Sequence, residues 1–214
     1  MNFQIIIAGE QHAHFASELS QLIEAASKAR GTGIAKRSPD YLAQKMIEGK
    51  AIIALQDEVL AGFCYIESWG HGAFVANSGL VVKPEFRKTG LARKIKTAIF
   101  ELSREKYPNA KIFGITTSLA VMKINSGLGY QPVTFSELTT DEAFWQGCQG
   151  CVNYDILQRT NRKHCLCTGM AYTPDKTQKR FDFDKHVKLY SRWLRYKRSV
   201  LFRRRKRKAS VSAK

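Results

Sequence analysis

The segment from Ser78 to Lys94, SGLVVKPEFRKTGLARK, most constrains how this chain can fold. An apolar run ends at Val82-Lys83-Pro84, and the chain then re-enters helix through Arg87-Lys88-Thr89-Gly90-Leu91-Ala92. The unpaired N–H groups and the positive dipole end at a helix start favour an anion, and a pyrophosphate would suit them. Gly90 lets the backbone approach a phosphate closely, while Arg87 and Lys88 add positive charge. The segment therefore predicts a phosphate-binding loop, with an ordinary strand-to-helix turn as the alternative.

The pattern V-x-P-x-x-R-x-x-G-L-A at Val82 to Ala92 resembles the acetyl-CoA-binding signature of the GNAT family of N-acetyltransferases. The chain has no G-x-x-x-x-G-K-[ST] and no G-x-G-x-x-G, which disfavours a P-loop NTPase or a Rossmann dehydrogenase. The resemblance implies acetyl transfer from acetyl-CoA to an amine. It also implies that the backbone amides of Arg87, Lys88, Thr89, Gly90, Leu91 and Ala92 hold the pyrophosphate, and that the backbone of Leu80, Val81 and Val82 holds the pantetheine arm.

Hydrophobic periodicity gives a matching order of elements. Strands are predicted at Phe3 to Ala8, Ala51 to Leu55, Val59 to Ile66, Phe74 to Val82 and Lys111 to Thr117, with helices between them and a last helix at Ala120 to Leu128 before a closing strand near Gly129-Tyr130. The order β-α-α-β-β-β-α-β-α-β predicts an α/β (α+β) GNAT fold with a mixed, mostly antiparallel sheet. The resemblance covers residues 3 to 135 and implies that the fourth and fifth strands splay apart around the cofactor. Gly79 inside the fourth strand indicates a bulge or a place where another backbone comes close.

Three residues are candidates for proton transfer or for cofactor contact. Many relatives place a tyrosine acid four residues before the glycine of the closing motif, but counting back from Gly129 reaches Asn125. Asn125 can hydrogen-bond the cofactor but cannot donate a proton to a thiolate, so Tyr130 or water would substitute, or no acid is needed. Glu67, at the end of the third strand, is the predicted general base, with a solvated carboxylate as the alternative.

The loop between the first two helices reads ARGTGIAKR and would border the acceptor site of a GNAT protein. Its cations predict an anionic acceptor such as glutamate, held by Arg30, Thr32, Lys36 and Arg37. A solvated basic loop is the alternative. The chain is also similar to stand-alone bacterial members associated with arginine biosynthesis.

Four of the five cysteines, Cys148, Cys151, Cys165 and Cys167, form a C-x2-C and a C-x-C pair. Four thiolates are a usual structural zinc shell, so a zinc site is one prediction, with His164 as a substitute ligand. Reduced, half-buried cysteines that pack as small hydrophobic groups are the alternative. Cys64 lies alone in a strand and is predicted to be a core residue.

The net charge of +17 is unevenly distributed. Residues 185–214 hold 13 Lys and Arg and no acidic residue, whereas the rest of the chain holds 22 basic and 18 acidic residues. Three regions are therefore predicted: a GNAT domain at 1–135, a cysteine-containing extension at 136–184 whose Trp145 and Tyr154 would cover the acceptor cleft, and a basic, partly helical tail at 185–214. The tail would attract nucleic acid or an anionic surface, or remain solvated. No apolar run is long enough to cross a membrane, which favours a cytoplasmic protein.

Three functions remain open from the sequence. The leading one is a small-molecule N-acetyltransferase, with glutamate as the best guess for the acceptor. The second acetylates a protein amine and uses the basic tail for docking. The third is an acyl-CoA-sensing module without turnover, which the missing tyrosine keeps open.

Overall fold

The computed structural model describes residues 2–30 and 37–174. The elements in chain order are β1 (Gln4–Ile7), α1 (Ala16–Arg30), α2 (Pro39–Ile47), β2 (Ala51–Gln56), β3 (Val59–Trp69), β4 (Phe74–Val82), α3 (Leu91–Lys106), β5 (Lys111–Thr116), α4 (Leu119–Gly127), β6 (Gln131–Val133), α5 (Glu142–Gln146), α6 (Tyr154–Arg159) and β7 (Thr168–Tyr172). The predicted order is confirmed as far as β6. The basic tail lies outside the described residues.

Local sequence chemistry explains several of these boundaries. The Ser38 side chain accepts a hydrogen bond from the Tyr41 backbone N–H at 3.3 Å, and Pro39 occupies the first turn of α2. Both are favoured at helix starts because they satisfy or remove an unpaired donor. Asp57 and Glu58 adopt positive φ angles of 48° and 64° in the tight turn between β2 and β3. The right-handed twist of a hairpin favours such angles.

The seven strands form one sheet in the order β1-β2-β3-β4-β5-β7-β6. All adjacent strands run antiparallel except β4 and β5, which are parallel. The β4–β5 pairing stops after Ala76 and Phe113, the last of three residue pairs. Beyond that point the two strands diverge, which confirms the mostly antiparallel sheet and the splay that the family resemblance implies.

Gly79 produces a bulge in β4 beside this gap. Its φ is +66°, and the register to β3 shifts between the pairs Phe63↔Val81 and Tyr65↔Ser78. A Cβ at Gly79 would lie 2.3 Å from Cε1 of Tyr65, so glycine is required both for the backbone conformation and for the close approach of the ring. The bulge predicted from the sequence is confirmed.

The helices cover opposite faces of the sheet. Phe63 and Tyr65 of β3 pack in one buried cluster with residues of α1 and α2, whereas Cys64 and Ile66 pack in a second cluster with residues of α3. This alternation follows from the two-residue period of a strand. Side chains of β3 that lie next to each other in sequence therefore reach different sides of the gap.

The chain after residue 136 joins the sheet as well as packing against it. β7 lies between β5 and β6, with Phe113 paired to Ala171 and Pro132 to Met170. The predicted domain boundary at residue 135 thus does not coincide with the end of the sheet, since the last strand comes from the segment predicted as an extension. Within the described residues, no helix has the length and apolar character needed to cross a membrane.

Candidate active site

A cavity of about 190 Å³ opens at the gap between β4 and β5. Since one water molecule needs roughly 10–15 Å³ of such a cavity, the cavity has room for a ligand. Its walls combine β4 residues 77–80, β5 residues 114–116, and side chains from both faces of the sheet and from the chain after residue 134, including Arg37, Tyr65, Glu67, Lys96, Asn125, Phe144, Cys148, Tyr154 and Leu157. Every second residue of an unpaired strand edge points its backbone N–H and C=O into such a gap, which suits an extended amide-containing ligand.

Arg37 and Glu67 form an ion pair on the α1–α2 side of the cavity. Nη2 of Arg37 lies 3.3 Å from Oε1 of Glu67, and the same carboxylate oxygen accepts a hydrogen bond from the Tyr41 hydroxyl at 2.7 Å. Nε of Arg37 donates to the Tyr65 hydroxyl at 2.8 Å. Both side chains of the ion pair are largely buried, which weakens solvent screening of the pair. The network holds one cation and one anion side by side at the cavity wall.

Titration of this network follows from burial and from the charges in it. Burial and the nearby Glu67 carboxylate raise the pKa values of Tyr41 and Tyr65 well above that of a free phenol. Burial alone would lower the pKa of Arg37, but Tyr65 and Glu67 more than offset it and raise that pKa. Both phenols therefore keep their protons at neutral pH.

Asn77, Lys96 and Asn125 line the same cavity from the α3 side. Lys96 is 2% exposed and Asn125 is 2% exposed. Oδ1 of Asn125 has no hydrogen-bond partner among the described residues, while its Nδ2 makes only a 3.8 Å contact to Sδ of Met170. A buried acceptor without a partner is costly, so Oδ1 of Asn125 is a place where a molecule in the cavity can donate a hydrogen bond.

Tyr130, the residue predicted to substitute for the missing tyrosine acid, is fully buried and is not among the cavity-lining residues. Its hydroxyl donates to Oδ1 of Asn77 at 2.9 Å, and burial raises its pKa well above the ordinary value. The hydroxyl proton is thus already engaged within the core, away from the gap.

The predicted phosphate loop lies at the start of α3. Lys88 and Gly90 have positive φ angles of 65° and 83°, and Gly90 precedes α3 with no side-chain cap. Nε of Arg87 donates to the Val82 carbonyl at 3.1 Å, and Oγ1 of Thr89 donates to the Phe86 carbonyl at 2.7 Å, which fixes the loop. A Cβ at Gly90 would meet nothing within 4 Å, so the space above the helix start is open. The loop is a backbone cradle suited to an anion.

The four clustered cysteines all lie along the cavity wall that the chain after residue 134 provides. In the described part of the chain, however, no three Cys, His, Asp or Glu side chains are arranged to hold a metal ion. The predicted zinc site is therefore not supported. Burial raises the pKa of Cys148 to about 11 and that of Cys167 to about 12, so these thiols stay protonated at neutral pH and pack against apolar neighbours.

The structure brings together only part of the predicted site. Arg37, Glu67, Leu80 and Asn125 share the cavity, whereas the side chains of Val81, Val82 and Leu91 are buried in the core. Arg87 to Ala92 form the separate loop, and Thr32 and Lys36 lie outside the described residues, as does the Arg30 side chain. Sequence reasoning missed Tyr41, Tyr65, Asn77 and Lys96. The one available signal was Lys96, a cation three residues before Ile99 on the apolar side of α3.

Comparison with known proteins agrees with this geometry. Residues 19–120 match the model of the Acetyltransferase (GNAT) family. These residues, slightly fewer than half of the chain, therefore correspond to a GNAT acetyltransferase domain. The fold predicted from the sequence is thereby confirmed. A search of curated protein sequences gave no match.

Solved structures with the same fold include several acetyltransferases. The chain superposes with a TM-score of 0.59 and 16% identity on N-acetylglutamate synthase from Neisseria gonorrhoeae complexed with coenzyme A and N-acetyl-glutamate, covering 82% of this chain but 36% of that one. A putative acetyltransferase from Salmonella typhimurium with its cofactor acetyl-CoA gives a TM-score of 0.54 at 14% identity, covering 82% and 96%. The ribosomal-protein-S18-alanine N-acetyltransferase from Escherichia coli gives 0.51 at 12%, covering 85% and 100%. This chain thus spans about a third of the length of the synthase, and these likenesses concern the fold.

Proposed function

We propose that this protein transfers an acetyl group from acetyl-CoA to the amine of a small acceptor, with glutamate as the preferred candidate. The observation that carries the proposal is the cavity at the β4–β5 gap, which has the Arg37–Glu67 pair on one side and Lys96 and Asn125 on the other. Acyl transfer needs two substrates to meet at one carbonyl carbon. A gap that is lined from both faces of a sheet allows them to approach from opposite sides.

Acetyl-CoA would occupy the α3 side of the cavity and the loop before α3. The amides of Arg87 to Ala92 would hold the pyrophosphate at the open helix start, where the dipole favours negative charge. The unpaired edge of β4 would hold the pantetheine amides, and Oδ1 of Asn125 would accept from one of their N–H groups. Backbone N–H groups at the bulge would stabilise the negative charge that develops on the thioester oxygen.

Glu67 is the proposed general base. Its carboxylate is held in place by Tyr41 and Arg37, and it lines the cavity on the side opposite Lys96. An ammonium bound next to it would lose a proton directly or through water, which generates the nucleophilic amine. Since Tyr41 keeps its own proton, it orients the carboxylate and does not compete as a base.

An amino acid suits this side of the cavity because it carries an ammonium and a carboxylate close together. Arg37 and Glu67, with their charged groups 3.3 Å apart, present the complementary charges. The likeness to N-acetylglutamate synthase supports glutamate as the first acceptor to examine. The cavity is also covered by Phe144, Tyr154 and Leu157, which favours a free small acceptor over a folded protein.

The test is a thiol-release assay with acetyl-CoA against amino acids, polyamines and peptides with a free N-terminus. We expect turnover on glutamate that is lost in Gly90→Trp, because the indole would fill the loop. Gly90→Ala is the matched control, since it introduces the same backbone strain at φ +83° without a bulky ring. Turnover confined to peptides would overturn the small-acceptor proposal. Coenzyme A binding without turnover on any amine would favour a sensor.

A further inference from the structure

Lys96 is buried in the wall of the cavity without an opposite charge. Its Nζ donates one hydrogen bond, to Oδ1 of Asn77 at 3.1 Å, and lies 5.3 Å from the centre of the Tyr130 ring. No carboxylate pairs with it in residues 2–30 and 37–174. Burial of an unpaired ammonium strongly opposes folding, so such a residue is a candidate for function.

A chain of hydrogen bonds fixes the position of this ammonium. Oγ of Ser103 donates to the Ile99 carbonyl at 2.7 Å and accepts from Nδ2 of Asn77 at 2.7 Å. The amide of Asn77 is thereby oriented so that its oxygen accepts from both Lys96 and Tyr130. An ammonium has three N–H donors, and Asn77 takes one of them. The other two are left for the Tyr130 ring and for a ligand in the cavity.

We propose that Lys96 donates the proton to the sulfur of coenzyme A as the thiolate departs, in place of the tyrosine that this chain lacks at position 125. The inference rests on the proposed acetyl transfer. Lys96 and Asn125 share the α3 side of the cavity with the edge of β4. That side is where the thioester would lie if Asn125 holds the pantetheine arm. Tyr130, the alternative donor, has its hydroxyl directed at Asn77.

The step balances in atoms and charge. The acceptor nitrogen bonds to the acetyl carbon, the carbon–sulfur bond breaks, and its electron pair goes to sulfur. The Lys96 ammonium then gives its proton to sulfur and becomes a neutral amine. Before the attack, the acceptor ammonium gives one proton to Glu67, which passes it to solvent. After the attack, the acceptor nitrogen loses its second proton to Glu67 or to water, and Lys96 regains a proton from water. In total the nitrogen loses two protons, of which the equivalent of one ends on sulfur and one in solvent.

The surroundings of Lys96 suit a proton donor to a thiolate. Burial lowers its pKa to about 8, against a weaker opposing effect of Cys64. A thiol has an ordinary pKa of about 8.5, and proton transfer is most effective between groups of similar pKa. The other titratable groups facing Lys96 are Cys64 of β3 and Tyr130, with Tyr172 of β7 beyond it. Burial raises the pKa of Cys64 to about 11 and the pKa of Tyr130 well above its ordinary value, so neither titrates near pH 8.

The first experiment compares Lys96→Met with the wild-type protein from pH 6 to 10, using the acceptor that the panel identifies. Methionine fills a similar volume without a donor. We expect kcat to fall by about 10²- to 10⁴-fold while the Kd for coenzyme A changes by less than roughly fivefold. The alkaline loss of kcat near pH 8 should be absent from the variant. A kcat within about fivefold of wild type, or an unchanged alkaline limb, would overturn the proposal.

Tyr130→Phe is the matched control, because it removes the other proton near Asn77 and leaves Lys96 in place. Since the variant keeps the ring next to Lys96, we expect its kcat to fall by far less than that of Lys96→Met. If Tyr130→Phe lost as much activity as Lys96→Met, the proton donor would be Tyr130 and the proposal would be wrong. Acetylation of Lys96 by acetyl-CoA, detected by mass spectrometry, would also overturn it, since Lys96 would then be a nucleophile.

A second measurement needs no acceptor and therefore separates this proposal from the proposed function. Coenzyme A is bound to each protein, and ionisation of its thiol is followed through the ultraviolet absorbance of the thiolate. A neighbouring ammonium should lower the pKa of the bound thiol by at least about one pH unit relative to the Lys96→Met complex. Equal values in the two complexes would show that Lys96 does not contact the sulfur, even if the enzyme turns over.

Discussion

Asn125→Leu should stabilise the ligand-free protein and weaken coenzyme A binding. Asparagine and leucine have the same branched shape, so the change replaces polar atoms without altering the packing much. Oδ1 of Asn125 is buried and has no partner among the described residues. An unsatisfied buried acceptor costs about 1–3 kcal/mol, and leucine removes that cost.

The two effects have opposite signs and comparable size. We expect the free energy of unfolding of the ligand-free protein to rise by about 1–2 kcal/mol, which corresponds to roughly 2–4 °C in Tm per kcal/mol for a chain of this size. Loss of the hydrogen bond to pantetheine should raise the Kd for coenzyme A by about 5- to 30-fold. Thermal unfolding with and without coenzyme A, together with calorimetric titration, measures both quantities.

Ser126→Ala is the matched control for Asn125→Leu. Oγ of Ser126 is also buried and has no hydrogen-bond partner within the described part of the chain, but Ser126 is not among the cavity-lining residues found there. Its removal should stabilise the ligand-free protein and leave the Kd for coenzyme A unchanged. The role of Asn125 would be refuted if Asn125→Leu destabilised the ligand-free protein or kept the wild-type affinity for coenzyme A. Oδ1 of Asn125 would then not be a hydrogen-bond acceptor for the ligand, and the assignment of this wall to pantetheine would fail.

Three further predictions test the remaining parts of the site. Glu67→Gln should lower kcat by about 10²-fold or more, because the amide cannot take a proton; steady-state kinetics with unchanged kcat would exclude Glu67 as the base. Gly79→Ala should cost more than about 2 kcal/mol in urea unfolding, because its Cβ would clash with Tyr65 at positive φ, whereas Gly114→Ala, whose Cβ meets nothing within 4 Å, should cost less than about 1 kcal/mol. Equal losses would refute this account of the bulge. Lys96→Met should be more stable than wild type at pH 7, by up to about 3 kcal/mol, because Lys96 has a pKa of about 8 when folded and an ordinary one near 10.5 when unfolded. Between these two pKa values the unfolded wild-type chain binds more protons than the folded one, so the free energy of unfolding of the wild type rises with pH. The stability difference between Lys96→Met and wild type should therefore shrink as the pH rises from 8 to 10. A stability difference that did not change with pH would contradict the lowered pKa of Lys96.

Local chemistry made part of the fold predictable from the sequence. Ser38 and Pro39 start α2, and Gly79 marks the bulge, because each acts through its own backbone and near neighbours. The position of β7 was not predictable in this way. Its pairing with β5 and β6 joins residues that are far apart in sequence. The cysteines before β7 predicted a zinc site instead, which the arrangement of the thiols in the described residues does not support. Spacing along a chain limits which ligands can converge, but tertiary contacts decide whether they do.

Lys96 shows the same limit in the site. A lysine in an amphipathic helix is ordinarily solvated, and the sequence gives it no partner that would suggest otherwise. Its burial depends on which side of α3 meets β4, which is settled by Ile95, Ile99 and the apolar cluster around them. Helical periodicity predicts the buried face of α3 only to within a residue or two. Whether Lys96 is solvated or buried depends on a shift of that size.

The bulge at Gly79 connects the two halves of the proposed reaction. It lies in β4 beside the gap to β5 and lets the Tyr65 ring approach the backbone, while the Tyr65 hydroxyl contacts Arg37 on the proposed acceptor side. Two residues earlier in β4, Asn77 contacts Lys96 on the opposite side. A base and an acid placed on opposite sides of one carbonyl can carry a proton from nitrogen to sulfur without meeting each other, which prevents Glu67 and Lys96 from neutralising one another in a direct ion pair. This separation by the sheet keeps the Lys96 ammonium without a carboxylate partner among the described residues.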